Sequence, residues 1–241
     1  MTARRGAHLV AAVLMSVALA GCGGTETEAP RQGLVLELLL DGDALDTSGN
    51  GYHGQVEGAA PAADRAGRSG MAYRFDGDDW IVVTPPPPLG DGELTVSLWA
   101  RYDRGEFGWW NNCLLAQDDG DDGGDRRIIQ LSTTSRSICW HRMGERDAVS
   151  PVPLTEEAWH HVVASFDGRR HRLYVDGLLH DSRYGGLGQH ESEPLYLGRK
   201  GSEEWDFTFR GVLDDVRVYN RALSIDEVLS LYREDPAARR N

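Results

Sequence analysis

Oxygen-bearing side chains occur in two segments that could bind a cation. The loop Asp46–Asn50 (DTSGN) supplies carboxylate, hydroxyl and amide oxygens beside a glycine, which are the ligands that Ca²⁺ prefers. Near the C-terminus, the alternating run that contains Asp214 and Asp215 places Asp214 on the face of Val216 and Val218. A charge on an apolar face needs a partner, so we expect an arginine, backbone amides or a metal beside it. An Asx turn in the loop and a hydrogen-bonded Asp214 would satisfy the same residues without metal.

Aromatic and polar side chains suggest a ligand-binding rim. Sugars stack on exposed aromatic rings, while amide and guanidinium groups bind their hydroxyls. The candidate residues for such a rim are Trp109, Trp110, Asn112, Trp140, Arg142 and Trp205. The alternative is that some of these rings have a packing role, as we expect for Trp80, Trp99 and Trp159, which should pack in the core or at a hinge.

Cys113 and Cys139 fall in segments that we interpret as neighbouring strands. An exported protein can form disulfides, so we predict a bridge between them, which would also bring the rim residues together. Two buried free thiols are the alternative. Two cysteines without a C-x-x-C motif do not make a zinc site by themselves.

Several other kinds of site have no support in the sequence. There is no G-x-S-x-G nucleophile motif. His160 and His161 are adjacent in a predicted strand and point to opposite faces, so they cannot easily chelate one ion together. The acidic segment 117–127 lacks the spacing of an EF-hand and is interpreted as a solvated hairpin loop, with a weak cation site as the alternative. The net charge of −13 argues against nucleic acid as a partner.

The N-terminal segment has the pattern of a secretory signal. Arg4 and Arg5 precede an apolar run that ends in small residues. The tetrapeptide Leu19-Ala20-Gly21-Cys22 resembles a bacterial lipobox, which implies that Cys22 is lipidated after cleavage. We therefore predict a signal peptide over 1–21, a lipidated tether over 22–32, one domain over 33–234 and a tail over 235–241. The protein is expected to be exported and held at the outer membrane or cell surface by lipid alone.

The elements that must position these residues are short strands. Apolar and polar residues alternate over Leu94–Arg101, Val162–Phe166 and Arg172–Asp176, which is typical of antiparallel strands with one buried face. Asp-Gly pairs that predict hairpin turns stand at 76–77, 167–168 and 176–177. Ser224 and Glu227 form a capping box for a short helix that should end near Arg233. The pattern predicts an all-β sandwich.

Five segments, in order, resemble the LamG-like jelly-roll domain of the concanavalin A-like superfamily. They are DTSGNGYHG (46–54), RFDG (74–77), LTVSLWA (94–100), AWHHVVASFDGRRHRLYVDGLL (158–179) and GVLDDVRVYNRALS (211–224). The resemblance implies a two-sheet antiparallel jelly-roll sandwich with a short C-terminal helix. It also implies a structural Ca²⁺ held by Asp46, Asn50 and one of Asp214 or Asp215.

Jelly-roll folds of this kind include lectins, hydrolases and adhesion modules, so the residues must decide between them. Hydrolases of this superfamily often carry E-x-D-x-E or E-x-D-x-x-E on one strand, and neither spacing occurs; Glu145-Arg146-Asp147 is followed by no glutamate at the required positions. We therefore predict a non-catalytic recognition module that binds a glycan. The alternatives are a surface-protein adhesion or assembly module and, third, a carbohydrate-active hydrolase.

Overall fold

A computed structural model describes residues 28–89, 92–103, 112–118, 127–134, 137–141, 147–187, 193–201 and 207–237. These residues form strands β1 to β15 and helix α1 (Ile225–Arg233). The strands are β1 Leu34–Leu38, β2 Gly54–Glu57, β3 Ala60–Ala62, β4 Ala72–Asp76, β5 Trp80–Val83, β6 Leu94–Tyr102, β7 Leu115–Asp118, β8 Arg127–Thr134, β9 Ser137–Trp140, β10 Ala148–Val149, β11 Trp159–Phe166, β12 Arg170–Val175, β13 Leu178–Tyr184, β14 Leu195–Leu197 and β15 Arg210–Tyr219.

The strands form two antiparallel sheets that pack face to face. The eight-stranded sheet has the order β13-β12-β11-β6-β15-β4-β3, with β1 also paired to β15. The seven-stranded sheet has the order β10-β9-β8-β7-β14-β5-β2. The main hydrophobic core contains residues from both sheets. This is the two-sheet sandwich that the sequence predicts.

Alternation along the central strands explains which residues enter the core. In β6, Val96 and Leu98 are fully buried core residues, and they lie opposite Ala164 and Val162 of β11. The residues between them point to the other face of the sheet, because side chains alternate along a strand. One apolar face on each strand is therefore enough to build the layer between the sheets.

The helix covers the outer face of the eight-stranded sheet. Its N-cap is Ser224, whose side chain accepts a hydrogen bond from the Glu227 backbone while Glu227 reaches back, so the predicted capping box is confirmed. Val228 and Leu231 pack in a second cluster with Tyr174 and Tyr219 of the sheet. Within the described residues, no helix has both the length and the apolar character needed to cross a bilayer.

Strand β15 departs from the predicted alternation at one point. Asp214 pairs with Trp99 of β6, but the next partners are Arg217 and Ser97, so β15 has one residue more than β6 in this interval. Such a bulge changes the face of every residue beyond it. The prediction that Asp214 shares a face with Val216 and Val218 is therefore wrong: these two valines belong to the core, whereas Asp214 contacts Arg65.

Candidate functional site

The predicted calcium loop folds as a hydrogen-bonded turn. The Asp46 carboxylate accepts hydrogen bonds from the backbone amides of Glu37, Ser48 and Tyr52, at 3.0, 2.9 and 3.0 Å. Burial alone would raise the pKa of this carboxyl, but these amides hold it below its usual value. Asn50 donates through Nδ2 to the Val35 carbonyl at 3.0 Å. The loop is thus tied to β1 by its own polar groups.

The other two predicted calcium ligands face an arginine. Nη1 of Arg65 lies 3.0 Å from Asp214 Oδ2 and also contacts Asp215 Oδ2. The guanidinium stacks over the Trp99 ring, 4.6 Å from its centroid. An arginine was one of the three partners expected for Asp214, and none of the contacts described for Asp214 or Asp215 involves Asp46. Calcium stays a prediction, with Asp46, Asn50 and one of Asp214 or Asp215 as its expected ligands.

Of the residues predicted for the sugar-binding rim, the structure describes Asn112 and Trp140, and these two do not form an exposed surface. Trp140 is fully buried, with its ring edge against His171 at 4.5 Å between centroids, and Asn112 is also buried. A buried indole offers no face for a sugar, so the expectation of an exposed Trp140 is wrong, because Trp140 belongs to the core layer between the sheets. Trp109, Trp110, Arg142 and Trp205 lie outside the described residues.

The predicted disulfide is also wrong, since Cys113 and Cys139 are buried free thiols. Cys139 pairs with Ser132 on one side of β8. On the other side of β8, hydrogen bonds from Leu114 N to the Leu131 carbonyl and from Thr133 N to the Asn112 carbonyl place Cys113 beside the same serine. Two strand spacings, about 9.5 Å, separate the cysteines, which exceeds the Cα separation of about 7 Å that a disulfide can bridge.

One line of residues crosses the outer face of the seven-stranded sheet. The strand register aligns one residue from each of β2, β5, β14, β7 and β8 with the residue after β9 and the residue before β10. Each of them is next to a residue that lies in the core or packs against it, so all point away from the core. From edge to edge this line contains Gln55, Val82, Tyr196, Ala116, Gln130, His141 and Asp147. We call it the cross-sheet row. Its middle is buried and its two ends are more open, so the ends are the places where a ligand can make contact.

The first end of the row presents two aromatic rings and an arginine. Trp80 and Tyr196 are partly exposed on the same face of adjacent strands. The Arg199 guanidinium lies over both rings, 4.7 Å from the Trp80 centroid and 5.3 Å from the Tyr196 centroid. Flat rings beside fixed N–H donors are the groups that bind the apolar face and the hydroxyls of a sugar.

The second end of the row brings together three groups of different chemistry. Cys139, His141 and Asp147 place a thiol, an imidazole and a carboxylate within 4.8 Å of one another. Among the described residues, one other group of this kind was found, Asp76, Asp78 and Asp79 in the turn between β4 and β5. Neither group contains a residue of the predicted calcium site.

Sequence reasoning missed both ends of the row, although local signals for them exist. Trp80 was expected to pack in the core or at a hinge. In Trp80-Ile81-Val82-Val83, however, Ile81 and Val83 are the buried pair, and alternation then sends Trp80 outward. The same alternation puts Cys139 and His141 on one face. Which strand lies beside each of them could not be obtained from alternation alone.

Comparison with known proteins agrees with this architecture. The profile of the concanavalin A-like lectin/glucanases superfamily matches residues 75–229, more than half of the chain. A search of curated protein sequences finds no match.

Solved structures resemble this chain in fold at low sequence identity. Domain 4 of AbnA, a GH43 extracellular arabinanase from Geobacillus stearothermophilus, in complex with arabinotriose, has a TM-score of 0.65 and 19% identity, covering 83% of this chain and 98% of that one. A Trypanosoma rangeli sialidase mutant displaying trans-sialidase activity has a TM-score of 0.66 and 20% identity, covering 85% and 33%. The binding domain of botulinum neurotoxin DC in complex with SialylT has a TM-score of 0.61 and 12% identity, covering 84% and 51%.

Proposed function

Because this chain belongs to the concanavalin A-like lectin/glucanases superfamily, we propose that it is a non-catalytic recognition module that binds glycans with the aromatic end of the cross-sheet row. The observation that carries the proposal is the placement of Trp80 and Tyr196 on one outer face with Arg199 over both rings. The AbnA domain and the neurotoxin binding domain, which share this fold, were solved with arabinotriose and SialylT, respectively.

The absence of catalysis is part of the proposal. Glycoside hydrolysis uses two carboxylates placed across the scissile bond. The cross-sheet row contains one carboxylate, Asp147, and it contacts His141 at 2.9 Å. The strand motifs that carry the paired acids in hydrolases of this superfamily are missing from the sequence. These observations support binding over turnover.

We further propose that the module is exported and anchored by lipid on Cys22. The basis is the signal-like segment 1–21 and the lipobox-like tetrapeptide before Cys22. Growth with labelled fatty acid tests this directly, since label should enter the wild-type chain and be lost in Cys22→Ser. Label in both chains would refute lipidation at this residue.

Glycan binding is tested with the purified full chain on a glycan array, run with Ca²⁺ and with chelator. We expect binding of an oligosaccharide class that Trp80→Ala and Tyr196→Ala each weaken at least about tenfold, equal to about 1.4 kcal/mol, because each removes a stacking surface. Tyr184→Ala is the matched control, since Tyr184 is 60% exposed but lies on the other sheet. Binding that survives Trp80→Ala and Tyr196→Ala and is lost in Tyr184→Ala would move the site to the other sheet.

A second candidate function is assembly with a surface protein through an open sheet edge. Strand β13 is an edge strand, and it exposes Leu178 (65%), Leu179 (52%) and Tyr184. Exposed edges with apolar side chains pair readily with other chains. An array without any bound glycan, together with association that Leu178→Ser and Leu179→Ser abolish, would favour this function over glycan binding.

A further inference from the structure

Three potential metal ligands share the second end of the cross-sheet row. Cys139 and His141 are two residues apart at the end of β9 and point to one face, because side chains alternate along a strand. The pairing of Trp140 with Ala148 places Asp147 opposite His141 on the neighbouring segment. The thiol, imidazole and carboxylate atoms all lie within 4.8 Å of one another, so one ion could contact all three after small side-chain adjustments.

The contacts inside this group converge on one oxygen. His141 Nδ1 lies 2.9 Å from Asp147 Oδ2, and the Cys139 thiol lies 3.5 Å from the same atom. Burial and the nearby Asp147 charge raise the pKa of this thiol, so without a cation it remains protonated. A cation at the point of convergence would replace these proton-mediated contacts with ligand bonds.

Access to the group from solvent is limited but present. Cys139 is buried, whereas the His141 and Asp147 side chains are 22% and 17% exposed. The sulfur atom therefore lies deepest, next to the sheet, and the imidazole and carboxylate lie nearer to solvent. An ion could enter from the outer face without any rearrangement of the core.

A second observation at the same place also points to an occupant. Ser132 Oγ and Gln130 Oε1 are buried and have no hydrogen-bond partner among the residues that the structure describes. Both lie on β8 directly beside the group: Ser132 pairs with Cys139, and the Gln130 carbonyl accepts the His141 amide. Buried polar atoms normally have partners, and an ion with its bound water would supply one to these two oxygens.

The donor set identifies the class of ion. Ca²⁺ and Mg²⁺ take oxygen ligands, so a thiol and an imidazole do not suit them. Thiolate, imidazole and carboxylate together suit zinc and its neighbours among the divalent transition metals, and three protein ligands leave a fourth position for water. We propose that Cys139, His141 and Asp147 bind one divalent transition-metal ion of the zinc class, with a fourth position open on the outer face of the sheet.

Binding must release protons in a defined way. The Cys139 thiol loses its proton to solvent and binds as thiolate. Nδ1 of His141 must be unprotonated to bind, so its proton moves to Nε2 or to solvent. Affinity should therefore fall as the pH is lowered.

The test uses the full untagged chain, stripped of metal, and Co²⁺ as a spectroscopic probe for the zinc site. We expect one Co²⁺ per chain, a thiolate-to-cobalt charge-transfer band, and displacement of Co²⁺ by Zn²⁺. Cys139→Ser should abolish the band, and Asp147→Asn should weaken binding at least about tenfold, since even outer partners of metal ligands contribute about that much.

The matched controls are Cys113→Ser, which changes the other buried cysteine, and Asp76→Asn, which changes the cluster of Asp76, Asp78 and Asp79. Both should keep the band and the affinity. Should Cys139→Ser not fold, as judged by circular dichroism, Asp147→Asn and His141→Gln decide the outcome. The proposal is overturned by the absence of saturable binding at one ion per chain, or by binding that Asp147→Asn and His141→Gln leave unchanged.

Discussion

Arg65 binds two adjacent carboxylates that β15 turns away from the core. Its guanidinium contacts Asp214 and Asp215, donates to the Glu234 carbonyl at 3.2 Å and stacks on Trp99. The arginine and both aspartates are nearly inaccessible to solvent. Since buried charges are tolerated only with a partner, this side chain has a clear energetic role.

We expect Arg65→Ala to lower the free energy of unfolding by about 3–5 kcal/mol, because removing one member of a buried ion pair leaves charge in a poorly solvated place. Urea denaturation measures the loss. Arg74→Ala is the matched control, since Arg74 pairs with Asp103 at the surface, and it should cost about 0–1 kcal/mol. A loss of stability below 1 kcal/mol for Arg65→Ala, measured both without and with added Ca²⁺, would contradict this role.

The need for this partner was predictable, but its identity was not. Asp214 interrupts an apolar run, and that alone indicates a satisfied charge. Arg65 is 149 residues away in the chain, and nothing in the local pattern around either residue connects them. The same limit applies to Asp147 and His141, whose approach depends on strand register.

At the scale of elements, helix α1 depends on a charged cap. Glu227 accepts hydrogen bonds from Arg221 at 2.5 and 2.8 Å and from the Ser224 amide at 2.9 Å. The hydrogen bonds from Arg221 lower the pKa of Glu227 to about 2, against a partial opposing effect of burial. The cap therefore joins the end of β15 to the first turn of the helix.

This shift makes the stability of the capped helix depend on pH. Because the folded pKa is below the ordinary value of 4.5, the contribution is complete above about pH 4.5 and is lost as the pH falls toward 2. We expect the free-energy difference between wild type and Glu227→Gln to shrink over this interval. Denaturant unfolding at a series of pH values measures it, and a difference independent of pH would disprove the assignment.

Element patterns were predictable wherever regular alternation holds. The faces of β6 and β11, the capping box and the Asp-Gly hairpin turns at 167–168 and 176–177 follow from local residue types, and the structure has them. The hairpin predicted at 76–77 is wrong, because β4 and β5 lie in different sheets. Alternation failed at β15 because the bulge between Asp214 and Arg217 adds one residue. A bulge depends on the partner strand, so the residues of β15 alone carry no clear sign of it.

At the scale of the whole molecule, both cysteines of the sandwich are fully buried, one on each side of β8. Their segments were expected to be neighbouring strands, and the intervening β8 is what prevents the bridge. The order in which strands follow one another in the sequence does not determine their order within a sheet. Sheet order is therefore the information that sequence reasoning lacked here.

Thiol reactivity should report opening of the whole sandwich. In a Cys22→Ser chain with chelator and without reductant, we expect a thiol reagent to label neither cysteine in the folded state and two per chain in guanidinium. The burial of both sulfur atoms is the reason. Two thiols that appear only after reduction would show that a disulfide forms, against the sheet order described above.

The position of the first described residues sets how the molecule can face a membrane. Ala29 is buried in the cluster beneath α1, and the Glu28 carbonyl accepts a hydrogen bond from Ser230 of that helix. The chain therefore enters the sandwich on the face opposite the cross-sheet row. Five residues lie between Cys22 and Glu28, so the two positions can be at most about 20 Å apart when the chain is fully extended. A lipid on Cys22 would hold the helix side toward the bilayer, and the row would face away from it.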